Sequence, residues 1–185
     1  QTSQDMVFSP QVILELMAEV TAFTPNLVVI TGGEPFRQDI TGLCVELIEN
    51  GFTVQIETNG TLQPPSSDFA VLVGSYLQER NAVHIVCSPK TGRVHPKLVP
   101  LIGAYKYVIR DGFTLPTDGL PTSVLGNDTH MVARPPEGFT GPIYVQPEDQ
   151  HDKRCNENNL KEAITSCMKY GYTLQLQIHK LIGVE

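Results

Sequence analysis

Tryptophan is absent from the 185 residues, and cysteine occurs only four times, at Cys44, Cys87, Cys155 and Cys167. The spacing is wide and irregular: there is no CxxC and no CxxxCxxC, so neither a zinc site nor a cluster site is written in this sequence. The four thiols read instead as reduced cysteines of a cytosolic protein, with Cys44 and Cys167 behaving as small hydrophobes. No apolar run approaches the ~20 residues of a membrane span. The opening Gln-Thr-Ser-Gln-Asp lacks the basic n-region of a signal peptide. It also lacks a Met, so residues are expected upstream. Basic residues are in deficit, 13 Lys and Arg against 20 Asp and Glu, for a net charge of −7. That balance disfavours a nucleic-acid partner, although local basic spots such as Lys90 and Arg93 could hold a small anion.

What is present suits one folded domain over residues 1–185, with 41% hydrophobic and 18% charged residues. Helical and strand patterns alternate, without repeats or low-complexity tracts. Ser9-Pro10 predicts a helix start, followed by Ile13, Leu16, Met17 and Val20 at helical spacing. Strands are predicted at Leu27–Ile30, Phe52–Glu57, Val83–Cys87, Tyr105–Ile109, Ile143–Gln146 and Thr173–Ile178. Asp39 can cap a helix carrying Ile40, Leu43, Cys44, Leu47 and Ile48 on one face, ended by Gly51. Another helix is expected around Phe69–Leu77, and a short one over His95–Ile102. Asn159 and Glu162 resemble a capping box opening a helix with Leu160, Ile164, Cys167 and Met168 on one side. Residues 110–142, rich in Pro and Gly, read mostly as loop. Alternating strands and helices imply a mostly parallel sheet with right-handed crossovers. About six strands are too few for a closed eight-stranded barrel. An α/β open, partial TIM-like barrel fits best, with a flat doubly wound sheet as the alternative.

The unusual residues follow the strands. Thr31-Gly32-Gly33-Glu34-Pro35 comes after the first, Glu57-Thr58-Asn59-Gly60 ends the second, and Ser88-Pro89-Lys90 follows the third. Gln146-Pro147-Glu148-Asp149 follows the fifth, and Gln177 and His179 close the last. In parallel α/β folds the C-terminal strand ends share one rim where ligands bind, so these motifs are expected to converge there. Two adjacent glycines make a plain tight turn or let backbone approach a ligand. The Lys-Ser/Thr of a phosphate loop is missing, and Glu34 would repel phosphate, so a cation such as an amino-acid ammonium suits it better. Glu57 is a solvated strand-end carboxylate or an acceptor for a ribose diol. Asn59 supports the same ligand or makes an Asx turn. Ser88 and Lys90 hold one carboxylate, or Lys90 is a surface lysine. An ammonium, a carboxylate and a ribose together describe an amino acid joined to a nucleoside.

In this order the motifs resemble the radical S-adenosylmethionine (SAM) superfamily, whose Gly-Gly-Glu-Pro element matches Thr31–Pro35. The runs Ile56–Thr61, Cys87–Lys90, Tyr105–Ile109, Val145–Pro147 and Gln177–Lys180 resemble, within it, the 7-carboxy-7-deazaguanine synthase family over residues ~9–185. The resemblance implies a cytoplasmic homodimer using SAM, a [4Fe–4S] cluster and Mg²⁺, with a reductant such as flavodoxin or ferredoxin. It implies a carbon–nitrogen lyase of queuosine biosynthesis. A 5′-deoxyadenosyl radical takes a hydrogen from 6-carboxy-5,6,7,8-tetrahydropterin, and the ring contracts with loss of ammonia to 7-carboxy-7-deazaguanine. Carried over residue by residue, Gly32, Gly33, Glu34, Glu57, Asn59, Ser88, Lys90 and Gln146 would bind SAM. Thr31, Gly33, Gln177 and His179 would face the substrate. A lone strand-end His such as His179 is also a common structural residue, and Arg110 reads as an ordinary surface arginine or a contact to a substrate carboxylate. No catalytic side chain and no metal ligand is assigned.

One departure stands out. The family carries three cluster cysteines and a Mg²⁺-binding Thr near the N-terminus, and nothing before Ser9 matches them. The expectation is that an N-terminal cluster-binding segment is missing from this sequence, which as it stands would be inactive. A degenerate relative is the other possibility. Rival functions are a glycyl-radical activating enzyme, which would bind a protein loop in place of the pterin, a non-catalytic SAM-binding relative, and a phosphate-binding barrel, which Glu34 argues against.

Overall fold

The structure is a computed structural model and describes residues 15–19, 26–79, 82–123, 131–178, 180 and 183. Six strands are present: β1 (Leu27–Ile30), β2 (Thr53–Thr58), β3 (Val83–Cys87), β4 (Ala104–Ile109), β5 (Ile143–Pro147) and β6 (Thr173–Leu174). Between them lie helices α1 (Thr41–Glu49), α2 (Ser67–Glu79) and α3 (Lys153–Tyr170). The strand order is the chain order, and each described pairing is parallel. The sheet ends at β1 and β6 and is open, in keeping with the expected α/β class. Among the described residues no helix is long and apolar enough to cross a membrane. The chain forms two compact units, Gln1–Cys87 with His95–Gly103, and Ser88–Val94 with Ala104–Glu185.

The first unit pairs Val28 with Val54 and Ile30 with Ile56, then Ile56 with Ile85 and Thr58 with Cys87. Alternation on β2 is regular: Val54, Ile56 and Thr58 are buried, while Gln55 and Glu57 are half-buried. α1 packs on β2 and α2 on β3, through Leu43, Cys44, Leu47 and Ile48 of α1 and Phe69 and Val73 of α2. Each such fully buried apolar side chain contributes roughly 1.5–3 kcal/mol. The cap of α1 is Ile40 and not the expected Asp39, which stands one residue earlier, its Oδ1 accepting from the Thr41 backbone at 3.0 Å. Gly51 follows the helix at φ 88°. Met17 is buried within the helical residues 15–19, whereas Ser9, Pro10, Ile13 and Val20 of the expected first helix lie outside the described residues. The helix expected over His95–Ile102 is only a 3-10 turn at Val99–Leu101. Pro96 and Pro100 each remove a backbone donor, which is enough to stop a regular helix forming there.

The second unit pairs Tyr105 with Ile143 and Tyr107 with Val145, and Val145 with Leu174. The last strand is shorter than expected, two residues where six were anticipated. The larger correction concerns α3, which begins at Lys153 and not at Asn159. Asp152 is its cap, accepting from the Cys155 backbone at 2.8 Å, and Gly171 closes it in the left-handed conformation at φ 77°. Asn159 is no cap: it is buried in mid-helix, accepting from the Asp111 backbone at 2.9 Å and donating to the Glu148 carbonyl at 2.9 Å. The polar first turns, Lys153 to Asn158, carry no apolar rhythm that would have revealed the true start.

The side of α3 turned inward sets polar residues around the buried Ala163. Ser166 donates to the Gly119 carbonyl at 2.6 Å, Tyr170 to the Pro116 carbonyl at 2.5 Å, and Thr114 to the Glu162 carboxylate. Ile164 and Met168, by contrast, are exposed. The loop over 113–122 holds its shape through this seam and through Arg134. That guanidinium donates to the Asp118 carboxylate at 2.7 Å and to the Pro121 carbonyl at 2.9 Å. Gly119 sits at the closest approach, at φ 67°, where an added Cβ would strike the Tyr170 ring and the Ser166 Oγ. Gly119→Ala is expected to cost ~2–4 kcal/mol through strain and overpacking, read as a fall in the urea midpoint of the folded protein.

Candidate functional site

In the first unit the loop after β1 divides sharply by burial. Thr31, Gly32 and Gly33 are exposed, and Glu34, Pro35 and Phe36 are buried. Phe36 meets Phe69 of α2 edge-on, centroids 5.4 Å apart, which anchors the loop on its apolar side. Glu34 anchors it on the polar side. Its Oε1 accepts from the Thr58 hydroxyl at 2.7 Å and the Phe36 backbone at 3.3 Å, and its Oε2 accepts from the Asn59 backbone at 2.8 Å. A buried carboxylate is tolerable when donors surround it. An ionised carboxylate has about four acceptor positions, so these three donors leave room for one more. The clasp ties the end of β1 to the end of β2.

With the loop so fixed, the glycines present bare backbone. Gly32 requires glycine for its own conformation, φ 126°. Gly33 does not: its φ is unremarkable, and an added Cβ would meet nothing within 4 Å. No demand of this chain's packing explains glycine at 33, whereas close approach of a ligand would. Glu57, half-buried on β2, accepts from Gln55 Nε2 at 3.2 Å. Asn59 makes the Asx turn that was one of its two readings, its Oδ1 accepting from the Thr61 backbone at 2.8 Å and hydroxyl at 2.6 Å.

The second unit gathers a different set. Ser88 and Lys90 line a small cavity of about 20 Å³ together with Lys106 of β4 and Ser123. Sequence reasoning gave Lys106 no role, although a lysine between the buried Tyr105 and Tyr107 was a visible signal. Gln146 is half-buried on β5. Gln177 lines a cavity of about 230 Å³ with Glu148, Asp149, Leu160 and Lys180; His179 lies outside the described residues. Asp149 ties this region together, accepting from Lys180 Nζ at 2.6 Å, Asn156 Nδ2 at 2.9 Å and the His151 backbone at 3.0 Å. Arg110 sits 4.6 Å over the Phe113 ring, and its Nε is 3.9 Å from Glu148 Oε2.

The cysteines do not compose a cluster site. Among the described residues no three His, Cys, Asp or Glu side chains are placed to hold a metal ion. Cys44 and Cys87 are buried, and burial, with the charge of Asp39 second, pushes the Cys44 thiol up to about 12.

No protein-family model matches the chain. A 7-carboxy-7-deazaguanine synthase from Rhodospirillum rubrum is 41% identical over 180 residues, covering 92% of this chain and 71% of that protein. The chain belongs to the 7-carboxy-7-deazaguanine synthase family. A second synthase of this name, from Aquifex aeolicus, is 38% identical over 92% of this chain and 70% of its own length. A third, from Rickettsia prowazekii, is 38% identical over 89% of this chain and 62% of its own. The crystal structure of QueE from Escherichia coli shares the fold, with a TM-score of 0.56 at 22% identity, over 89% of this chain and 61% of that one. The chain thus spans about two thirds of the length of these 7-carboxy-7-deazaguanine synthase relatives.

Two outcomes are expected from this geometry. Glu34→Gln turns an acceptor into a donor facing the Thr58 hydroxyl or the Asn59 backbone, and should destabilise the protein by about 1–3 kcal/mol in thermal unfolding. Asp149 titrates below the ordinary carboxylate value of 3.8, chiefly because Lys180 donates to it. Its folded pKa is depressed, so its stabilisation is complete above 3.8 and fades as the pH falls toward the folded value. The difference in urea midpoint between the protein and Asp149→Asn should be constant from pH 7 to about 5 and close below about 4.

Proposed function

We propose that this chain carries the activity its relatives are named for: a radical SAM lyase converting 6-carboxy-5,6,7,8-tetrahydropterin to 7-carboxy-7-deazaguanine with loss of ammonia, in queuosine biosynthesis. The observation that carries the reading is 41% identity to the Rhodospirillum rubrum synthase along 92% of the chain. SAM, when bound and reductively cleaved, supplies the hydrogen-abstracting radical. Each of the two units holds residues whose chemistry suits part of it. The open backbone at Gly32 and Gly33 and the remaining acceptor position of Glu34 suit its ammonium. Ser88 and Lys90 suit its carboxylate, and Glu57 its ribose diol, with Asn59 and Gln146 as further contacts. Thr31, Gly33, Gln177 and His179 face the pterin in this reading.

The [4Fe–4S] cluster and Mg²⁺ complete the cofactor set by family resemblance alone. The four cysteines described do not fit a cluster, and no step is assigned through it. The reading extends to a cytoplasmic enzyme served by a flavodoxin- or ferredoxin-like reductant. It extends also to a homodimer, for which the exposed Ile164 and Met168 of α3 offer apolar surface.

Turnover decides the matter. In cluster-loaded protein, anaerobic incubation with SAM, dithionite and the tetrahydropterin should yield 7-carboxy-7-deazaguanine and 5′-deoxyadenosine by mass spectrometry; cluster-loaded protein that binds SAM and gives neither product would refute the lyase. Gly33→Ala should leave the melting temperature unchanged, because its Cβ enters open space, yet weaken SAM binding about tenfold or more. Unchanged SAM affinity would remove Gly33 from the site.

A further inference from the structure

Resting on the SAM reading just given, we propose that Thr58 is a positioning residue for the cofactor's ammonium: its hydroxyl decides which oxygen of Glu34 the ammonium meets. Thr58 is the last residue of β2, on the same face as the buried Val54 and Ile56, and only 2% exposed. A hydroxyl has one proton to give and two lone pairs to receive with. The Gly60 backbone donates to the Thr58 Oγ1 at 3.1 Å. Gly60 is itself pinned, at φ 79° and with its carbonyl accepting from the His95 backbone at 2.8 Å. The Thr58 proton goes to Glu34 Oε1 at 2.7 Å, the usual length of an O–H···O bond.

The remaining acceptor position of Glu34 is on Oε2. Each carboxylate oxygen has about two such positions. Oε1 receives the Thr58 hydroxyl and, at 3.3 Å, the Phe36 backbone, which together fill it. Oε2 receives the Asn59 backbone at 2.8 Å and keeps one position for the ammonium. The backbone of Glu34 is held as firmly as its carboxylate. It is extended at φ −151°, Pro35 follows it, and its carbonyl accepts from the Arg37 backbone at 3.1 Å. Without the hydroxyl, Oε1 regains an empty position in a buried setting, where an unmet acceptor is costly. The carboxylate is then drawn to turn Oε1 toward any donor, the ammonium included, and the fixed approach is lost. The threonine methyl has no part in this, so serine and valine at 58 are expected to behave differently.

The test uses three nucleosides that differ in the amino-acid moiety. SAM carries ammonium and carboxylate, decarboxylated SAM keeps only the ammonium, and 5′-methylthioadenosine lacks both. Each is titrated calorimetrically into the anaerobically purified protein and its Thr58→Val, Thr58→Ser and Thr58→Cys variants, with thermal unfolding recorded for all. Thr58→Val should weaken SAM and decarboxylated SAM about tenfold and leave methylthioadenosine within about twofold. Thr58→Ser, which keeps the hydroxyl, should bind all three within about twofold of the parent. Thr58→Cys, a weaker donor, should lie between the two with the same selectivity, and it replaces the valine variant if that one does not fold. A folded Thr58→Val or Thr58→Cys that binds SAM as tightly as the parent, or weakens all three nucleosides equally, would leave Thr58 a purely structural residue. So would a Thr58→Ser that loses the two ammonium-bearing nucleosides as valine does. Should the parent itself bind decarboxylated SAM no better than methylthioadenosine, the ammonium reading of Glu34 falls, and that outcome is distinguished by requiring no variant.

Discussion

The loop after β1 depends on one buried carboxylate. Glu34 collects a hydroxyl from Thr58, a backbone donor from Asn59 and another from Phe36, so that two separate strand ends are held by a single side chain. Without it, Gly32 and Gly33 would sit in a loop free to sample many conformations, since glycine restricts its backbone least. With it, the loop's freedom is spent before any ligand arrives. Phe36 against Phe69 works in the same direction from the apolar side. The exposed glycines and the buried Glu-Pro-Phe are therefore two halves of one arrangement, the first useful only because the second is rigid.

The clasp also changes how Glu34 is understood. As a bare sequence position it reads as a ligand for a cation. In the structure its first task is internal, and a cofactor ammonium would join donors already in place. These roles are compatible because a carboxylate accepts several hydrogen bonds at once. A change at Glu34 therefore combines loss of a contact with loss of the frame that positions its neighbours.

Much of this was legible beforehand. The strands at 27–30 and 83–87 were read to the residue because short apolar runs bounded by turns leave few alternatives. The motif residues were identifiable because glycines, a strand-end carboxylate and a lysine beside proline are unusual at those places. Three features were not legible, each for a local reason. Asp152 as a cap was masked because Lys153–Asn158 show no helical rhythm. Thr58 looked like filler between Glu57 and Asn59, though alternation put it on the buried face. Lys106 was visible, but that it lines one cavity with Ser88 and Lys90 is a proximity between distant segments, which is not written in periodicity.

α3 carries the least conventional feature of the fold, a helix whose inward side sets asparagine, serine, glutamate and tyrosine around the buried Ala163. An apolar stripe would hold a helix firmly yet tolerate a slide along its neighbour, since one methyl group replaces another. Directional bonds do not. Moving α3 by one residue would mispair Asn159, Glu162, Ser166 and Tyr170 together, leaving several polar groups dry at once. The seam therefore works like the teeth of a key: it encodes a single register, and the irregular segment around Gly119 inherits a unique position that its own sequence, with Gly119 between Pro116 and Pro121, does not specify.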